Sequence, residues 1–149
     1  MKEPKKVISA ANVVACDFGK FNALGDYELC LGPDVKIPGK VFGGAQVGAT
    51  GAEFSFQSFA PGSETGFLHK HKNHEELYFF LGGKGEFVVD GQVFPVSEGS
   101  VVRVAPDGVR SVRNNGDAPL VMLCVQYKAA TFTSADAADG VILPDPVKW

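Results

Sequence analysis

The chain has 149 residues, 45% of them hydrophobic, which suits one soluble domain large enough to bury a core without cross-links. A formal charge of −3, spread without blocks, gives no electrostatic footprint for nucleic acid or for an anionic membrane surface, and the longest apolar run, Leu120 to Val125, is far too short to span a bilayer. The opening Met-Lys-Glu-Pro-Lys-Lys has no apolar stretch behind it, so no secretory signal is expected, and an odd set of three widely spaced cysteines (Cys16, Cys30, Cys124) points to free thiols in a reducing cytoplasm.

Glycine (18) and proline (9) are plentiful, phenylalanine (12) is prominent among the apolar residues, and no long segment carries a helical period. Short strands joined by tight turns are therefore expected, in an all-β sandwich or barrel. In chain order, Val13 to Cys16 and Tyr27 to Leu31 read as short strands, and Lys40 to Val47 as a Gly-rich strand with a bend. Ala52 to Ala60 alternates, with Phe54 and Phe56 on one face and Ser55 and Gln57 on the other. Phe67 to His71 and Glu76 to Gly82 are expected as strands flanking a loop at Asn73. Asp90-Gly91 suits a type I′ corner between the two halves of a hairpin over 85–96. Ser100 to Val104 and Val109 to Asn114 follow. Asn115-Gly116 reads as a further hairpin corner into Leu120 to Tyr127, an apolar strand expected to be buried on both faces. Ser134 to Asp139 suits one helical turn capped by Gly140. A single domain is expected, with a barrel over about 40–127, an N-terminal arm over 1–39 and a C-terminal tail over 128–149.

All three histidines lie in one stretch, His69-Lys-His71-Lys-Asn-His74-Glu75-Glu76. In a strand, His69 and His71 point to the same face. A carboxylate from the next strand would complete two nitrogens and one oxygen around a point, the donor set of a metal site. Strand parity favours Glu76, which shares a face with Tyr78 and Phe80, and Glu75 is the alternative. His74 falls in the turn and reads as solvated.

Gly62, His69-x-His71, Glu76 and Gly83 resemble the first motif of the cupins. Gly99, Asp107, Arg110 and Asn114 fall in the register of the second, and the likeness covers roughly residues 50 to 127. The resemblance implies a double-stranded β-helix barrel of the jelly-roll type, a homodimer, and a metal inside the cup. Three departures stand out: Ala105 replaces a usual proline, Asp107 a frequent glycine, and Arg110 the third histidine of the metal set. Only His69, His71 and Glu76 therefore carry across as ligands of a divalent transition metal (Fe, Mn, Ni or Zn).

Two outcomes are open. In one, His69, His71 and Glu76 hold the ion with positions left for water and substrate, and Arg110 bonds an anionic ligand group. In the other, Arg110 pairs directly with Glu76 and takes over the charge of the metal, because a buried carboxylate needs some positive partner. Gln57 and Tyr78 are further candidates for ligand contact. Arg103 and Arg113 read as surface residues, Cys124 as core, and Gly82-Gly83-Lys84-Gly85 as a turn and not a phosphate loop. The functional expectation is a metal-binding protein that binds or transforms a small anionic metabolite, as an oxygenase, isomerase or decarboxylase if it is an enzyme. The alternative is a metal-free, non-catalytic binding or sensing module anchored on Arg110. No helix-turn-helix segment for DNA binding is visible.

Overall fold

The computed structural model describes residues 2–33 and 35–149. The chain runs through β1 (Lys5–Ala10), β2 (Val13–Asp17), a 3₁₀ turn (Phe21–Asp26), β3 (Glu28–Cys30), β4 (Lys36–Pro38), β5 (Lys40–Phe42) and α1 (Gly44–Val47). It continues through β6 (Glu53–Phe59), β7 (His74–Gly82), β8 (Lys84–Val89), β9 (Gln92–Ser97), β10 (Val101–Val104), β11 (Arg110–Arg113), β12 (Leu120–Lys128) and α2 (Ser134–Ala137). Among the described residues no helix is long and apolar enough to cross a membrane.

Two antiparallel sheets make the jelly roll, one of five strands in the order β10-β7-β12-β6-β5 and one of three in the order β11-β8-β9. Period-two alternation sends one set of side chains from each inward. From the larger sheet come Phe59, Tyr78, Phe80 and Met122, and from the smaller Phe87 and Val112, all buried. The Phe87 ring meets the Tyr78 ring edge-on at 4.9 Å between centroids. Glu76, Tyr78 and Phe80 do share the buried face of β7, while Leu77 and Phe79 lie on the half-buried outer one.

The outer face of the larger sheet is covered by the 3₁₀ turn. Leu24, Tyr27 and Val121 are buried there, with Phe56 and Leu81 packed against them. This explains why β12 carries apolar residues on both faces near its start, and why Phe54 and Phe56 alternate against Ser55 and Gln57.

The turns follow their chemistry in most places. Asp90 and Gly91 both adopt positive φ, 50° and 80°, as a type I′ corner requires. Gly83 also has positive φ, and a Cβ on it would lie 2.3 Å from the Pro119 carbonyl oxygen, so only glycine fits. Several local expectations are corrected. Lys40 to Val47 is a three-residue strand followed by one helical turn, because Gly43 and Gly44 break the extended run. Phe67 to His71 is not a regular strand; it touches β11 through an isolated bridge between His69 and Arg110, and β7 starts earlier, at His74. Asn115-Gly116 is not a hairpin corner. β11 pairs with β8 while β12 pairs with β6 and β7, so the chain crosses between sheets there. The buried Asn114 amide pins that crossing by donating to the carbonyls of Phe59 and Ala118, both at 2.9 Å, and accepting from the Gly116 N–H. The helical turn near the C-terminus ends at Ala137 with Ala138, not Gly140, as its C-cap, and begins with a Thr133–Asp136 capping box. The β1–β2 hairpin, which the sequence reading reduced to a single strand, leaves Val7, Ile8 and Val13 exposed.

Candidate metal and anion site

The inner floor of the larger sheet is a grid set by strand register. Glu76 on β7 pairs with Gln126 on β12, and Gln126 with Glu53 on β6. One step along, Tyr78, Cys124, Ser55 and Phe42 lie side by side, and one further, Phe80, Met122, Gln57 and Lys40. The histidines arrive from the opposite wall. His69 and Arg110 exchange backbone hydrogen bonds of 3.2 and 3.0 Å, and the His71 N–H reaches the Pro106 carbonyl at 3.0 Å. One residue between them then brings both imidazoles to the same side, with ring centroids 5.5 Å apart.

His69, His71 and Glu76 each offer a donor atom, and these atoms lie within 4.8 Å of one another. His71 Nε2 is 3.2 Å from Glu76 Oε1, and His69 Nε2 is 3.8 Å from Glu76 Oε2. Neither is aligned as a hydrogen bond. His69 Nδ1 and His71 Nε2 are buried without any hydrogen-bond partner, although buried polar atoms are ordinarily satisfied. The unpartnered His71 Nε2 beside Glu76 Oε1, with the His69 imidazole in the same 4.8 Å cluster, fits a divalent metal. Glu75, by contrast, faces outward, accepting from Arg103 Nε at 2.7 Å and the Tyr127 hydroxyl at 2.7 Å. His74 is exposed, its Nδ1 lying 3.3 Å from Gln126 Nε2.

Arg110 points into the cup and is fully buried. Its Nη2 and Nε donate to Glu76 Oε2 at 2.7 and 3.1 Å, and its Nη1 donates to the Gly108 carbonyl at 2.7 Å. Most of the guanidinium is thus committed to Glu76 and the backbone. The Tyr78 hydroxyl also donates to Glu76 Oε2. The carboxylate is therefore divided: Oε2 is held by arginine and tyrosine, whereas Oε1 is met by His71 and by the Cys124 thiol at 3.5 Å.

Burial opposes ionisation of Glu76, but the neighbouring His69 imidazole, the Tyr78 hydroxyl and the Arg110 guanidinium outweigh it and hold the carboxyl well below the usual range. Burial, with the negative charge of Glu76 nearby, pushes the Tyr78 hydroxyl and the Cys124 thiol far up. Both stay protonated, so Cys124 is no nucleophile. Burial also lowers the pKa of His71 more than Glu76 raises it, which favours the neutral imidazole that a metal requires.

The cup is a cavity of about 220 Å³ reached by His69, His71, Glu76, Tyr78, Gln57 and Lys40 among others. Gln57 is buried on its wall. Lys40 was not singled out from the sequence. It lies between Pro38-Gly39 and Gly43-Gly44, and only its long-range pairing with Gln57 brings it to the cup.

Glu76 is ionised in the fold at pH values where the unfolded chain would bind a proton. The bonds to it therefore stabilise fully above the ordinary carboxyl value of about 4.5, and that stabilisation is lost as pH falls below it. Tyr78→Phe is expected to cost about 1.5–3 kcal/mol near pH 7, the range for a hydrogen bond to a charged group. The deficit should stay constant around pH 4.5 and shrink only as pH falls toward the folded-state value of the Glu76 carboxyl, which Arg110 and His69 still hold well below 4.5 in the variant; a deficit unchanged through that acid range in denaturant unfolding curves would show that the hydroxyl serves packing alone.

A family model for the cupin domain matches residues 55–126. A cupin protein from Bacteroides fragilis, known as a crystal structure, is 32% identical with a TM-score of 0.67, and the match covers 78% of this chain and 96% of that one. An uncharacterized protein of Methanocaldococcus jannaschii is 38% identical over 66 residues, 44% of this chain and 52% of the relative. An oxalate-binding protein of Thermotoga maritima is 35% identical over 72 residues, 48% of this chain and 59% of the relative. The match thus spans little more than half the length of these two curated relatives. With nearly the whole of the Bacteroides protein matched on the same two-sheet fold, the chain belongs to the cupin superfamily.

Proposed function

We propose that this cupin holds one divalent transition metal on His69, His71 and Glu76 and binds or transforms a small anionic molecule beside it. The observation that carries this reading is the cluster of His69, His71 and Glu76 donor atoms within 4.8 Å, in which buried His71 Nε2 has no hydrogen-bond partner among the described residues and lies 3.2 Å from Glu76 Oε1. A metal with open positions would supply Lewis acidity there. The chain's own contribution is to keep Glu76 ionised through Arg110 and Tyr78, to keep His71 neutral through burial, and to leave Oε1 turned toward His71. The likeness to an oxalate-binding protein supports a small anion as ligand.

A second reading has its own observation. The Arg110–Glu76 pair already balances the buried charge, so the cup could serve as a metal-free binding module. Elemental analysis of untagged, chelator-free protein separates the two. About one equivalent of transition metal per chain, lost in a His69→Ala/His71→Ala double variant, is expected. Protein that stays metal-free after reloading would transfer the function to the metal-free reading.

We also infer that the chain assembles as a homodimer. Apolar side chains stand exposed on the β1–β2 hairpin and along the tail, including Ile142 and Trp149, and such surface usually finds a partner. Sedimentation equilibrium is expected to give twice the 15.8 kDa chain mass; a single chain mass at micromolar concentration would refute the dimer.

A further inference from the structure

With Arg110 bound to Glu76, the cup needs a different group to receive an anion. Lys40 is the cation in position. It begins β5 directly opposite Gln57, and its Nζ donates to Gln57 Oε1 at a long 3.4 Å. Among the described residues, no carboxylate approaches its Nζ closely enough to form an ion pair. Glu53, the other acid near this end of the cavity, is turned away, its Oε1 accepting the N–H groups of Gly44 and Phe54 at 2.6 and 2.9 Å. The Lys40 ammonium lies 5.5 Å from the centre of the Phe42 ring. Burial pushes the Lys40 pKa down more than the nearby negative charge of Glu76 raises it, so an anion joining Lys40 would favour its charged form.

The amide of Gln57 is oriented by this contact. Its oxygen faces Lys40, so its Nε2 is left as a donor without a protein partner among the described residues, on the wall of the same cavity. Lys40 and Gln57 together present the ammonium and amide hydrogens that a carboxylate accepts. Glu76 lies three strands away on β7, its row displaced two rows along the floor from the Lys40–Gln57 row, yet its negative charge still acts on Lys40. Between the two rows the floor carries Cys124, Ser55 and Phe42, and Phe87, Leu29 and Ile37 also line the cavity.

We propose that Lys40 and Gln57 form the anion-recognition end of the cup, and that the ligand is a short carboxylate with an apolar body extending toward His69, His71 and Glu76. The cavity of about 220 Å³ has room for roughly seven water volumes, which limits the ligand to a small molecule. The inference rests on the reading of the cup as a small-anion site. It does not require the metal.

The probe is sodium hexanoate, with 1-hexanol as its uncharged counterpart, titrated by calorimetry into chelator-treated protein. Hexanoate is expected to bind the natural chain about tenfold or more tightly than hexanol, the scale of one hydrogen bond to a charged group. Lys40→Met should remove that preference, while His69→Ala/His71→Ala should retain it. Equal binding of hexanoate and hexanol to the natural chain, or no hexanoate binding, overturns the proposal without any variant having to fold. An undiminished preference in Lys40→Met overturns it too. If hexanoate fails while the protein still takes up one metal on its histidines, the role of Lys40 falls and the metal reading stands; a preference that depends on Lys40 in protein that takes up no metal gives the reverse.

Discussion

The ion pair between Glu76 and Arg110 joins the two sheets at the centre of the cup. Glu76 comes from β7 of the larger sheet and Arg110 from β11 of the smaller one, and both are buried. Neither charge could be taken out of water alone, and removing one partner of such a pair typically costs about 3–5 kcal/mol. The bidentate approach of Nε and Nη2 to one oxygen also sets the angle of the carboxylate. That angle turns the other oxygen toward His71. Packing, charge balance and the geometry of the donor set thus depend on one contact.

Arginine at the position of a third histidine changes the electrostatics of the cup. With His71 kept neutral by burial, the Glu76–Arg110 pair leaves little net negative charge to attract a dication. Affinity for a metal must then come mainly from the two imidazoles and Oε1, a weaker set than one with an unpaired carboxylate. The same arginine is spent on structure, so recognition of an anion passes to Lys40 at the far end of the grid. The cup therefore carries charged groups at two ends, with apolar side chains and the small polar groups of Ser55 and Cys124 between them, a division that leaves room for a ligand with an apolar body.

The core of this arrangement was legible in the sequence. His69 and His71 at a two-residue spacing, the parity of Glu76 with Tyr78 and Phe80, and the inward direction of Arg110 all follow from the strand period. The Asp90-Gly91 corner follows from local backbone chemistry. What was not legible depends on contacts distant in sequence. Asn115-Gly116 carries the residues of a hairpin, but nothing local says that the next strand joins the other sheet. His69 and His71 reach the site through backbone bonds to Arg110 and Pro106, not through the regular strand their alternation suggested. Lys40 sits in a three-residue strand among glycines, where no period can be read, and its role appears only when β5 pairs with β6.

Glu76 is thus shared, with Oε2 held by Arg110 and Tyr78 and Oε1 facing His71. The most direct test is a crystal structure of zinc-loaded protein with anomalous data at the zinc edge. One zinc between His69, His71 and Glu76 Oε1 is expected, with Arg110 still bonded to Oε2. Zinc bound elsewhere, no zinc at saturating concentration, or Glu76 released from Arg110 when zinc binds would contradict it.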